Sequence, residues 1–429
     1  MSQDIHRAID AVWRIESAKV IACVARMVRD VGLAEDLAQD ALVAALESWP
    51  RDGVPANPGA WLTTTAKNRA LDRLRRDRVL QGKLEAIGHD LETQEALIVP
   101  DFVDALDAAR QDEIGDELLS LIFTACHPVL SPEARVALTL KLLGGLSTTE
   151  IARAYLVPEP TMAQRIVRAK RTLTAAHVPF EVPRGAELQA RLASVLSVVY
   201  LIFNEGYTAS AGDDWMRPAL CDEALRLGRT LAELASDQPE VLGLIALMEL
   251  QASRSKARVD AQGQPVLLMD QDRARWDPLL IRRGLVALDR ALALCTQQGQ
   301  SLGTYTLQAA IAACHARAAT ADQTDWASIV ALYDALARTA PSPVVDLNRA
   351  VAVGMAYGAA QALPLVDELA QNPALRSYPW LYSVRGDLLA KVGRTAEARV
   401  DLMRAAELTA NARDKDVLLY KATALADKR

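Results

Sequence analysis

The side chains best placed to do chemistry in this sequence are cationic, and the chemistry they suit is the neutralisation of phosphate. The stretch AWLTTTAKNRALDRLRRDR, residues 60–78, places six basic side chains in nineteen residues of a chain whose formal net charge is −6. Arg69, Arg73 and Arg76 follow at steps of four and three and share one helix face, while Leu62, Ala66, Leu71 and Leu74 mark another. Like charges so spaced repel by roughly a few tenths of a kcal/mol per pair, which is more easily understood beside an anionic partner than in water. An ordinary solvated helix face is the alternative reading of this stretch alone.

A second cationic cluster lies in LSTTEIARAYLVPEPTMAQRIVRAKRTL, residues 146–173. Ser147 followed three residues on by Glu150 forms a capping box, with Ile151 and Tyr155 as the apolar positions of the helix it opens. A turn over Val157 to Pro160 leads to a second helix carrying Arg165, Arg168, Lys170 and Arg171, with no acid from 161 to 180. Two helices, a short turn and a cationic second helix make the pattern of a helix-turn-helix that enters a major groove. In GLAEDLAQDALVAALESW, residues 32–49, Asp36, Gln39, Asp40, Val43 and Glu47 line one side of a helix, with Leu37, Leu42, Ala45, Leu46 and Trp49 largely on another. The helix dipole accounts for Glu35 and Asp36; Gln39 and Asp40, a turn further on, form an acidic stripe open to a basic partner.

Other reactive types offer less. Cys126-His127 and Cys314-His315 resemble metal ligands, but neighbours on a helix point about 100° apart and no second pair sits at ligand spacing. Glu205 with Asp270, Asp272 and Asp277 could be imagined as acids of an active site, yet Asp277 before Pro278 is an ordinary helix cap and Glu205 stands beside Gly206, which suits a left-handed helix end. No catalytic residue, metal site or cofactor is expected.

The elements that must hold these residues are helical. Ala and Leu dominate the 429 residues, aromatics are 5%, and β-branched runs bounded by turns are scarce, so an all-α fold with almost no sheet is expected. The five scattered cysteines form no CxxC pair and suit a reducing cytoplasm. The longest apolar run, LASVLSVVYLIF at 192–203, is too short to span a bilayer and reads as a buried helix. Charge divides the chain: residues 1–80 carry 12 basic and 11 acidic side chains, 81–115 carry 2 and 9, and 116–180 carry 7 and 5. An acidic tether at 81–115 thus separates two mildly basic lobes, 1–80 and 116–180, and the prolines and glycine of VPFEVPRG at 178–185 mark a further boundary. Beyond it, Gly386, Ala398 and Ala405 take the small positions of a tetratricopeptide hairpin and Leu389 and Leu402 the large ones; a looser copy at 344–370 precedes it, and a short helical solenoid over 183–429 is expected.

Taken in this order, the three motifs resemble bacterial RNA polymerase sigma factors of the extracytoplasmic-function type, which keep two promoter-binding domains joined by a linker. The resemblance implies that Glu35, Asp36, Gln39 and Asp40 dock on the β′ clamp helices of core polymerase. It implies that Trp61, Lys67, Asn68, Arg69, Arg73, Arg75 and Arg76 engage the minus-ten element, and that Thr161, Gln164, Arg165, Arg168, Lys170 and Arg171 engage the minus-thirty-five element next to the β flap. Pro158 and Pro160 stand where the family commonly has Ser and Gly, and Ala163 where Lys is frequent. Trp49 and Trp61 flank the loop PRDGVPANPG, where strand opening needs a wedge or a stacking platform; core packing is the other reading of both. The acidic tether would act as a displaceable surrogate for phosphate or as a plain tether. The remainder, with NEGY and DQDRARWDPLLIRRG, is similar to the long extension of one subgroup of these factors; read as a regulatory solenoid, it would accept a segment of a regulatory protein or pack on the promoter-binding lobes. A stand-alone helix-turn-helix regulator with a repeat-type sensor domain is the other reading of the whole chain.

Overall fold

In the computed structural model, which describes residues 2–88, 110–155, 157–208, 216–260 and 265–425, every extended element is helical and no strand occurs among the described residues. A lone bridge joins Val259 and Pro265. The chain forms two compact units that divide between Val198 and Val199.

The first unit opens with three helices, α1 (Ser2–Val28), α2 (Val31–Asp52) and α3 (Pro58–Gly88), packed on one another. Alanines make the close approach: Ala34, Ala38, Ala41 and Ala45 of α2 and Ala66 and Ala70 of α3 are fully buried beside Val20, Ile21 and Val24 of α1. Asp30 caps α2 by accepting from the Leu33 N–H at 2.8 Å. The expected apolar stripe of α3 is turned slightly: Leu62, Ala66 and Ala70 face inward, while Leu71 and Leu74 are only half-buried. α3 continues past residue 80, into the expected tether, and α4 (Arg110–Ala125) takes up the tether's last residues; the rest of that tether, 89–109, lies outside the described residues. Then follow α5 (Pro132–Leu142), α6 (Thr148–Ala154) and α7 (Glu159–Ala175). The prolines near 180 end this run, and α8 (Gly185–Tyr207) begins at the glycine. The expected boundary at 178–185 therefore differs from the division of the units. The first part of α8 packs with the helices before it, Arg191 donating to the Phe123 carbonyl at 3.0 Å and Ser194 to that of Cys126 at 2.6 Å.

The second unit comprises the end of α8, then α9 (Pro218–Leu234), α10 (Pro239–Ala252), three 3-10 turns between Ser255 and Arg275, and α11 (Pro278–Gln298) to α18 (Ala412–Ala424). The apolar run at 192–203 is helical but one-sided, with Leu201 exposed. The helix buried all round is instead α10, whose Leu242, Leu244, Ile245, Leu247 and Leu250 are all covered. Gly206 is not a left-handed helix end: it lies within α8, where a Cβ would meet the backbone nitrogen of Cys221 at 2.5 Å, so the missing side chain is what lets α9 approach. From α12 (Thr304–Arg317) through α13 (Trp326–Thr339), α14 (Pro343–Tyr357), α15 (Ala359–Leu369), α16 (Pro379–Lys391) and α17 (Thr395–Leu408) each helix packs on the next. Gly386, Ala398, Ala405, Leu389 and Leu402 are all buried in this packing, and a Cβ at Gly386 would lie 2.9 Å from Leu402.

Candidate nucleic-acid interface

The helix-turn-helix is assembled by local rules. The Ser147 hydroxyl accepts from the Glu150 N–H at 3.1 Å and the Glu150 carboxylate from the Ser147 N–H at 2.8 Å, so both halves of the capping box form. Burial pushes the Glu150 carboxyl up, but the two Ser147 hydrogen bonds and the Arg14 charge outweigh it and hold its pKa below the ordinary value. The turn is drawn in by the Val157 N–H donating to the Ala152 carbonyl at 3.0 Å, and Pro158 then starts α7 with Pro160 in its first turn, where no N–H is needed. Met162, Ile166, Ala169 and Leu173 recur at helical spacing and are buried. The opposite face presents Thr161, Gln164, Arg168 and Arg171, all exposed, with Arg165 half-buried at its edge. Lys170 departs from this group. It turns towards α2, where its amine pairs with the Glu35 carboxylate and lies 3.5 Å from Asp36.

On α3 Arg73, Arg75 and Arg76 are exposed, beside exposed Asn68; Arg69 is half-buried with a guanidinium nitrogen 3.4 Å from Asp40. The Arg76 Nε donates to the Asp72 carbonyl at 3.3 Å and Arg75 lies 3.7 Å from the Asp72 carboxylate, so both side chains run along the outer face of the helix. Lys67 differs from its neighbours by turning inward: it hydrogen-bonds Cys23 of α1, whose thiol burial raises and Lys67 lowers. Trp61 is half-buried against Trp49.

The acidic residues of α2 divide. Asp36 is 71% exposed, and Gln39 and Asp40 are exposed with it, but Glu35 is 2% exposed. Its carboxylate accepts from Gln39 at 2.5 Å, pairs with Lys170 and lies 3.6 Å from the Lys141 amine of α5. In this conformation Glu35 is covered by the molecule's own lysines, which its sequence neighbours could not foretell.

Of the candidate acids in the second unit, Glu205, Asp272 and Asp277 hold structure. Glu205 pairs with Arg217, Asp272 accepts from the Ala274 N–H at 3.0 Å, and Asp277 accepts from the N–H groups of Leu279 and Leu280 at 2.9 and 3.2 Å, capping α11. Arginines near them tie residues 253–260 and 265–277 to helix ends. Arg258 lies over the Tyr207 ring at 3.6 Å and donates to the Tyr207 carbonyl, and Arg273 donates to the carbonyls of His315 and Ala318 at 2.7 and 2.6 Å. Cys126 is packed 3.4 Å from the Thr139 hydroxyl with its thiol pushed up to about 11 by burial, while His127 Nδ1 accepts from the Val129 N–H at 3.1 Å. No helix among the described residues is long and apolar enough to cross a membrane.

Residues 14–79 match the family Sigma-70 region 2, residues 120–173 match Sigma-70, region 4, and residues 191–292 match a family of unknown function, DUF6596. The first spans the second half of α1 with α2 and most of α3, and the second the helix-turn-helix with α5 and the end of α4. An uncharacterized protein of Rhizobium meliloti (strain 1021) is 42% identical over 395 residues, 92% of this chain and 90% of that protein. A probable ECF RNA polymerase sigma factor, SigI of Mycobacterium tuberculosis, is 27% identical over 180 residues, which cover 42% of this chain and 58% of SigI. The ECF RNA polymerase sigma factor SigK of Mycobacterium ulcerans is 29% identical over 160 residues, 36% of this chain and 78% of SigK.

Proposed function

We propose a function from one premise: this chain belongs to the family of its Rhizobium meliloti relative, and its two sigma-70 regions make it a sigma factor. It binds core RNA polymerase and directs it to promoters, as a promoter-specificity subunit of the extracytoplasmic-function type. Asp36, Gln39 and Asp40, with Glu35 once uncovered, dock on the β′ clamp helices, and region 4 sits beside the β flap. Asn68, Arg69, Arg73, Arg75 and Arg76 meet the minus-ten element, with Trp61 beside the opened strand. Thr161, Gln164, Arg165, Arg168 and Arg171 meet the minus-thirty-five element. Melting requires no catalysis by the protein, since preferential binding of the open strand shifts the duplex equilibrium. Lys67 supports the minus-ten surface from behind, and Lys170 reaches DNA only after leaving α2.

The observation that carries this reading is the outer face of α7. Thr161, Gln164, Arg168 and Arg171 lie exposed along one side of a helix whose other side is packed, which is the requirement for a helix that enters a groove. We read 183–429 as a tetratricopeptide-like extension that regulates the two lobes or receives a regulatory protein, because consecutive helices there pack as hairpins on small residues such as Gly386 and Ala398.

The test is reconstitution of the full chain with core polymerase. Co-elution and initiation at a cognate promoter are expected, and Asp36→Lys with Asp40→Lys should abolish both. Tight operator binding that persists in that variant without any association with polymerase would replace this reading with a stand-alone regulator.

A further inference from the structure

One residue of the polymerase-binding helix α2, Glu35, and one of the DNA-binding helix α7, Lys170, are turned towards each other in the first unit, while the rest of both surfaces stays largely exposed. Lys170 of α7 pairs with Glu35 and lies 3.5 Å from Asp36, and Lys141 of α5 adds a second amine 3.6 Å from Glu35. Around this centre stand three further polar contacts between the same two lobes. Arg14 of α1 meets the capping carboxylate Glu150 at 2.6 Å, Arg26 of α1 meets buried Glu117 of α4 at 2.9 Å, and the Thr174 hydroxyl donates to Asp30, the cap of α2, at 2.9 Å. Each of these joins a residue of the 1–80 lobe to a residue of the 116–180 lobe more than 90 positions away in sequence.

We infer that this is a self-latched form of the protein, in which lysines of the region 4 lobe cover Glu35 of region 2, beside exposed Asp36, and core polymerase must displace them before docking on that carboxylate. The inference rests on the proposed function and adds the regulation of its site. Its logic is competition for one carboxylate: Glu35 cannot serve a basic partner while 2% exposed under Lys170 and Lys141. The same contact withdraws Lys170 from the phosphates it would meet as part of α7. A latch closed by ion pairs, several with exposed partners such as Arg14 and Asp36, weakens with salt and yields to a competing charged surface.

The contact can be locked. A Cβ placed on Gly32 would lie 3.6 Å from the Cβ of Lys170, within the span of about 3.5–4.5 Å that a disulfide needs. In full-length Gly32→Cys/Lys170→Cys protein, oxidation should lower the affinity for core polymerase by at least about tenfold and reduction should restore it, a comparison made within one variant. A folded variant that refuses to oxidise, or an oxidised form that binds core as tightly as the reduced form, overturns the latch. Arg14→Glu, which places a carboxylate against Glu150 and touches none of the residues assigned to polymerase or DNA, should open the unit. The expected signs are a larger radius of gyration by X-ray scattering at about 0.05 M salt and tighter core binding; an unchanged radius overturns the latch as well. If neither wild type nor the reduced double variant binds core at all, the proposed function fails, and the scattering result still decides separately whether the lobes open.

Discussion

Trp49 and Trp61 stand edge to face, with ring centroids 5.4 Å apart and planes at 70°. Trp49 closes α2 at 1% exposure, and Trp61 opens α3 half in solvent, so the loop between them is pinned at both ends by one aromatic contact. The two residues, equivalent in sequence, therefore have unequal freedom: Trp49 is core, and only Trp61 can reach an outside partner without unfolding its surroundings.

Trp49→Ala should accordingly cost stability, about 3–5 kcal/mol as for other large aromatics removed from a core. Hydrogen exchange of the α2 amides checks it, since the loss falls on the first unit. Trp61→Ala should cost only about 1 kcal/mol, the worth of one aromatic pair and a partly covered ring, yet reduce the permanganate reactivity of the promoter's opened thymines. Equal stability losses in the two variants would remove the asymmetry on which this prediction rests.

Arg168→Ala and Arg171→Ala should each weaken upstream-element binding and lower the slope of log affinity against log salt by about 1, one phosphate contact per residue. Arg165→Ala, at the half-buried edge of the same helix, should change the slope less. The measurement is a salt titration of duplex binding, and an unchanged slope for Arg168→Ala would take that residue off the phosphates.

What the sequence disclosed follows from range. The capping box of Ser147 and Glu150, the Asp277 cap before Pro278, and the packing of Gly386 against Leu402 are set by residues within sixteen positions of each other, and periodicity and capping rules capture such contacts. The cover over Glu35 comes from Lys141 and Lys170, more than a hundred residues on, and no local pattern carries that information. Lys67 illustrates a subtler failure: in a run of six basic residues all look alike, and only the position of Cys23 on α1 decides which one turns inward. Gly206 shows the opposite case: a glycine near a helix end suits a left-handed turn as well as a close approach, and the approaching backbone of Cys221 belongs to the next helix.

Arg385 and Asp401 should anchor the pairing of α16 with α17. The guanidinium meets the carboxylate through two bonds of 2.6 and 3.0 Å, which hold the arginine above its ordinary pKa, and Asp401 is buried. Arg385→Ala leaves that carboxylate buried without its main partner and should cost about 3 kcal/mol in the unfolding of the second unit. Arg385→Lys should recover only part of it, since an ammonium cannot reproduce the paired geometry. Calorimetry of the two variants beside wild type checks both, and a loss within error for Arg385→Ala would show the pair to be dispensable.

His315 should make the second unit sensitive to mild acid. Its ring is buried, edge to face with Trp326 at 5.2 Å, and burial followed by the charges of Arg254 and Arg273 lowers its pKa to about 4. Unfolded, the same imidazole takes its proton near the ordinary value of 6.5. Above that pH it is neutral in both states and contributes no pH dependence. As pH falls from 6.5 towards 4 the unfolded chain binds the proton and the folded one does not, so stability is lost through this window and the loss levels off below it. The full difference is about 3 kcal/mol, at about 1.4 kcal/mol per pH unit within the window. Thermal unfolding of wild type between about pH 7 and about pH 5, above the range where most carboxylates titrate, should show this decline. His315→Phe, which keeps the contact with Trp326 and cannot take a proton, should flatten it. A decline of the same size in both proteins would assign the acid sensitivity to other groups.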